Sequence, residues 1–167
     1  MGFMGSGKTT LGKQVAAILD HTFIDLDRFI ETEENRTITD IFTKDGESAF
    51  RKIEFNALAR ILMHPKQVIA VGGGAPCQPG NLEVIRDFSF SIYLKVSQSE
   101  LFNRLARSTT SRPLLSGKTE NDIRNTIDNL LLKRESYYMQ ADRIIESDSI
   151  TPELIIFQIP HNKEQSL

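Results

Sequence analysis

The stretch MGFMGSGKTT at residues 1–10 constrains this chain more than any other, because Gly2, Gly7, Lys8 and Thr9 match GxxxxGK(S/T) in full. Gly5 and Ser6 add small residues inside the run. Glycines let successive backbone N–H groups converge on phosphate oxygens, and the helix that follows presents its positive end to them. Lys8 is placed to reach the transferring phosphate, and the Thr9 hydroxyl to ligate Mg2+. The expected ligand is a nucleoside triphosphate, ATP for a kinase, held by Gly5, Ser6, Gly7, Lys8, Thr9 and Thr10.

Downstream, helices and strands alternate. KTTLGKQVAAILD carries Leu11, Val15, Ile18 and Leu19 at helical spacing, and TFIDLD is a short β-rich run. RTITDIFTKDGESAFRKIEFNALARILMH reads as two helical pieces broken near Gly46, and QVIAVGGGAP as an apolar strand stopped by three glycines. FSFSIYLKV is another strand, and SQSELFNRLAR a helix whose Ser97 and Glu100 spacing predicts a capping box. Ile123, Ile127, Leu130 and Leu131 mark the next helix, DRIIES a last strand, and TPELIIFQI a last helix with Pro152 in its first turn. Apolar strands alternating with helices predict an α/β fold with a parallel sheet covered on both faces. A single domain over residues 1–160 is expected, followed by a polar tail at 161–167.

Composition narrows the function classes. A formal net charge of -2 argues against a general nucleic-acid or anionic-membrane binder, so any anion site must be local. No apolar run approaches the roughly 20 residues of a membrane span. The one cysteine, Cys77, excludes an internal disulfide and reads as a small packing residue, and a reducing cytoplasm is the expected compartment. His21, His64 and His161 lack ligand-like spacing, and no zinc is expected.

A phosphate loop names the donor and leaves the acceptor open. FIDLD ends a strand on the loop's side of the sheet, where α/β folds place ligands. Period-two alternation would put Asp25 and Asp27 on one face, one to hold Mg2+ through water and the other to meet an acceptor hydroxyl; an Asp at a strand end is also an ordinary helix cap. Arg51 and Glu54, three apart on a helix, suit an intrahelical ion pair. Arg134 extends the Ile123, Ile127, Leu130 stripe by a turn, where an arginine has an anion or carboxylate to meet. Arg112, before Pro113 in a polar loop, is either solvated or able to close over a transferring phosphate.

Taken in order, GFMGSGKTT, FIDLD, DIF with DGESAFRKIE, VIAVGGGAP, RPLL and RESYYMQAD make the chain resemble shikimate kinase over nearly its whole length. The resemblance implies the P-loop NTPase, nucleoside-monophosphate-kinase-like three-layer fold, with an acceptor-binding segment at about 26–60 and a lid at about 108–118. It also implies ATP- and Mg2+-dependent phosphorylation of the shikimate 3-hydroxyl, on the route to chorismate and the aromatic amino acids, by a cytoplasmic monomer. Carried over by motif, Asp27 is the hydroxyl contact and base, and Thr9 with Asp25 the metal site. Arg51 and Arg134 clamp the carboxylate, with Glu54 as the acidic partner of Arg51. Gly72, Gly73 and Gly74 allow close approach to the acceptor, and Phe42 and Phe50 are its apolar walls. Arg112 is the lid arginine, and Arg107 with Pro152 flanks the adenine.

Two other readings remain open from sequence: a gluconate-kinase-like enzyme for a polyhydroxy acid, and a non-catalytic kinase-like binding protein. The family also carries an apolar strand ahead of the glycine loop, at the sheet centre, and none precedes Met1. The expectation is a native start several residues earlier, and a fragile chain without that strand, on the scale of a domain's roughly 5–15 kcal/mol of stability.

Overall fold

The structure is a computed structural model that describes residues 1–107 and 119–160. Helix α1 (Lys8–Leu19) leads to β1 (Thr22–Asp25), α2 (Leu26–Glu34) and α3 (Ile38–Leu62). Next come β2 (Gln67–Ala70), a 3-10 turn (Ala75–Cys77), α4 (Asn81–Phe88) and β3 (Ile92–Lys95). Then α5 (Gln98–Arg107), α6 (Glu120–Tyr138), β4 (Arg143–Glu146) and α7 (Pro152–Phe157) complete the described elements. The expected α/β alternation is observed, with β1 parallel to β2 and β3 parallel to β4.

Pleat alternation sorts the helices into two layers. Tyr93 packs with Leu101, Phe102 and Leu105 of α5 and with Ile127 and Leu131 of α6. Its neighbour Leu94 faces the other way, onto Val15 of α1 and Ile155 of α7. Ile24 and Ile69 pack against the buried Leu26, Ile30, Ile41 and Leu58 of α2 and α3. The strands thus lie between α1 with α7 on one side and α2 to α6 on the other, a three-layer arrangement.

Local chemistry sets the ends of these helices. Gly46 interrupts α3 at φ 82 and ψ 170, the kink expected from sequence. Thr37 and Thr119 open α3 and α6 with reciprocal capping boxes to Asp40 and Asp122. The box expected at α5 forms only in half. The Glu100 amide donates to Ser97 Oγ at 3.2 Å, but the Glu100 carboxylate turns to Arg104 at 2.8 Å. Asp148, beyond β4, accepts from the Ser97 amide instead at 2.8 Å.

The four strands form two pairs rather than one continuous sheet. Between them, the Met1 amine donates to Ile92 O at 2.5 Å and Met1 O accepts from the Leu94 amide at 3.0 Å, the pattern of a single parallel bridge. Beside Met1, the pairs flank an apolar cavity of about 600 Å³ lined by Leu11, Val15, Val68, Ala70, Ile92 and Leu94. Burial pushes the Met1 amine down to about 5, helped by the nearby Lys8 charge.

Candidate active site

The glycine loop turns tightly between Met1 and α1. Gly5 (φ 84) and Gly7 (φ 92) sit in the left-handed region, where a side chain would strain the backbone. Lys8 folds over the loop and donates to Phe3 O at 2.8 Å. Ser6 is 1% exposed within the loop, and Thr10 follows Thr9 in the first turn of α1.

The Thr9 hydroxyl donates to Asp25 Oδ2 at 2.8 Å, bringing together the two groups expected to hold Mg2+. Both are hard oxygen donors, which suits a cation that keeps several waters and takes few protein ligands. The described residues contain no cluster of three or more His, Cys, Asp or Glu placed to hold a metal, so these two oxygens would act together with phosphate oxygens. Asp25 also accepts from the Arg28 amide and caps α2. The cap and the ligand readings therefore describe one carboxylate.

Asp27 reaches the site by a different route from the one expected. It lies in the first turn of α2 and not on the strand, so period-two alternation does not align it with Asp25. The helical turn nevertheless brings both carboxylates to one cavity of about 560 Å³, shared with Lys8, Thr9, Gly72 and Gly73. Burial is the main cause that raises the Asp27 carboxyl above its ordinary value, with the Asp25 charge adding to it and Lys8 opposing.

The triple glycine joins the two ends of the acceptor side. A Cβ on Gly72 would stand 2.7 Å from Asp27 Oδ1. At Gly74 it would stand 3.5 Å from Arg51 and 3.7 Å from Arg134. Two guanidinium groups from α3 and α6 therefore converge on one end of a side-chain-free turn whose other end touches Asp27. Arg51 pairs with Glu54 at 2.8 Å and with Glu47 at 3.0 Å, and its guanidinium lies 5.1 Å from the Phe50 ring and 5.8 Å from that of Phe42. Glu54 is 2% exposed, and burial raises its carboxyl pKa against the lowering effect of Arg51. Burial lowers the Arg51 pKa, and the hydrogen bonds to Glu54 and Glu47 outweigh it. The expected intrahelical pair is thus observed, and it holds Arg51 against Gly74 with guanidinium donors beyond those paired to Glu54 and Glu47.

Phe50 is core as much as wall, at 3% exposure, stacked 4.6 Å from the half-buried Phe42. Arg107 ends α5, exposed, and Pro152 opens α7. Arg112, with the rest of the expected lid at 108–118 and the tail at 161–167, lies outside the described residues.

Sequence reasoning missed Arg104. Its guanidinium donates to Gly5 O at 3.3 Å and to Asp148 O at 2.7 Å, tying the glycine loop to the segment after β4. Locally it shows only its i,i+4 pairing with Glu100, and nothing signals a contact 99 residues away. No helix among the described residues is long and apolar enough to cross a membrane.

The shikimate kinase of Bacteroides thetaiotaomicron is 40% identical over 149 residues, covering 89% of this chain and 85% of that protein. The structure of a shikimate kinase from Acinetobacter baumannii in complex with shikimate superposes with a TM-score of 0.86 at 33% identity, covering 98% of this chain and 92% of the other. A gluconokinase from Sinorhizobium meliloti 1021 shares the fold alone, with a TM-score of 0.58 at 18% identity over 93% of this chain and 85% of the other. The Shikimate kinase family profile matches residues 4–162, and the chain belongs to the shikimate kinase family.

Proposed function

We propose that this chain transfers the γ-phosphoryl group of ATP to the 3-hydroxyl of shikimate, giving shikimate 3-phosphate and ADP. The convergence of Arg51 and Arg134 on Gly74, with Asp27 at Gly72, carries the reading. Shikimate has one carboxylate and three hydroxyls on a small ring. Paired guanidiniums suit the carboxylate, a carboxylate base suits a hydroxyl, and the bare glycine turn leaves room for the ring between them.

The loop amides and Lys8 hold the phosphates, while Thr9 and Asp25 would hold Mg2+. Bound there, Mg2+ supplies positive charge to the phosphate oxygens. Asp27 orients the acceptor hydroxyl and accepts its proton at a carboxylate oxygen, and its raised pKa makes it a better base than an exposed aspartate. Arg51 and Arg134 fix the carboxylate, which sets the hydroxyl in line. By motif alone, we assign Arg112 to the charge developing on the transferred group, and Arg107 and Pro152 to the adenine. Residues 1–160 are read as one kinase domain, acting as a cytoplasmic monomer without nucleic-acid or membrane partners.

Coupled ADP release over a panel of acceptors tests the proposal. Turnover with shikimate and none with gluconate is expected. Robust gluconate turnover with none on shikimate overturns it.

A further inference from the structure

The triple glycine has no side chains with which to fix its own geometry, so hydrogen bonds must do so. Gly72 O accepts from the Ala75 amide and Gly74 O from the Cys77 amide, each at 3.1 Å. Gly73 O, between them, instead accepts a hydrogen bond from the phenol of Tyr138, sixty-five residues away on α6. The Cys77 thiol also faces this carbonyl, at 3.9 Å. Tyr138 is fully buried, with its ring 5.1 Å from that of Tyr93 on β3, so its hydroxyl has little freedom to leave.

The Arg134 guanidinium, one helical turn back on α6, borders the same glycine, and its charge acts on the phenol. A Cβ on Gly73 would lie 3.4 Å from the phenol oxygen and 3.5 Å from the Arg134 guanidinium, so this bare glycine borders both groups. An arginine has many rotamers to lose on binding an anion, and a partner that fixes it beforehand reduces that loss.

We propose that Tyr138 is a positioning residue of the acceptor site: its hydroxyl locks the Gly73 carbonyl and the Arg134 guanidinium into one arrangement, ready for the acceptor carboxylate. The proposal rests on the shikimate reading for its ligand and on the geometry for the lock itself. Tyr138 touches no reacting atom. Its removal therefore weakens acceptor binding while leaving the nucleotide side unchanged.

The test is Tyr138→Phe, which deletes one oxygen from a buried ring, with Tyr93→Phe as a control in the same stack. Expected for Tyr138→Phe is a rise of about tenfold in KM for shikimate, the scale of one hydrogen bond, with KM for ATP and kcat within about twofold of the parent. Tyr93→Phe is expected to leave all three unchanged. An unchanged shikimate KM in Tyr138→Phe overturns the proposal, as does a parallel rise in both KM values. Amide hydrogen exchange gives a readout independent of the substrate. The Ala75 and Cys77 amides, which close the turn, should exchange about tenfold faster in Tyr138→Phe, and unchanged exchange overturns the lock. A parent protein inactive on shikimate but with this exchange difference would refute the function and retain the lock.

Discussion

Replacing each glycine of the Gly72–Gly74 turn by alanine separates catalysis from folding within three consecutive residues. None of the three has a positive φ, so alanine is compatible with the backbone and loses less conformational entropy on folding, worth about 0.4–1 kcal/mol where nothing clashes. The difference between them is steric. At Gly74 the new methyl meets Arg51 at 3.5 Å and Arg134 at 3.7 Å, ordinary contact distances. At Gly72 it meets Asp27 Oδ1 at 2.7 Å and Oδ2 at 3.2 Å, so the carboxylate must withdraw by more than half an ångström. That carboxylate ends a short side chain that can swing, so the fold loses little. Catalysis loses much, because misplacing a reacting group on the ångström scale costs on the order of 10²-fold in rate. Gly72→Ala is therefore expected to lower kcat with shikimate about a hundredfold while its urea midpoint stays close to the parent's. Gly74→Ala should mainly raise KM for shikimate. Steady-state kinetics beside urea melts on the same preparations read both quantities. A Gly72→Ala enzyme with kcat within about threefold of the parent would refute the placement of Asp27 at the reacting hydroxyl.

Two further outcomes follow from the charges. Asp27→Asn should cut kcat by at least about 10²-fold, yet be more stable than the parent at pH 7. The raised Asp27 pKa is the reason: its contribution is fully present below the unfolded value and is lost as pH rises through the folded one, a loss asparagine escapes, and thermal melts at pH 7 check it. Arg51→Ala leaves the 2%-exposed Glu54 without its partner and should cost about 3–5 kcal/mol in denaturant melts, part of which a second change, Glu54→Gln, should restore.

The residues legible in the sequence are those whose chemistry is local. The glycine loop, Lys8 and Thr9 act within ten residues, and Gly46 and the glycine run announce a kink and a strand end by composition alone. Arg51 and Glu54 could be paired by spacing, although spacing did not reveal that Gly74 lies beneath the same guanidinium. Asp27 was found for a partly mistaken reason. The strand stops at Asp25, because its carboxylate caps α2, and the helix carries Asp27 to the cavity. Arg104, Asp148 and Tyr138 were invisible as site residues, since each acts on a backbone group 44 or more residues away. Contacts of that kind carry no periodicity, and one sequence alone does not encode them locally.

Asp25 has a consequence beyond ligation. One of its oxygens accepts from Thr9 at the start of the nucleotide helix, and the other from the Arg28 amide at the start of α2, the helix that carries Asp27. A single carboxylate is therefore a mechanical joint between the two halves of the site. A shift in the Thr9 hydroxyl that favours one orientation of this carboxylate also favours one setting of the acceptor helix. Thermodynamics makes such a joint symmetric: whatever factor the nucleotide applies to acceptor affinity, the acceptor returns to nucleotide affinity.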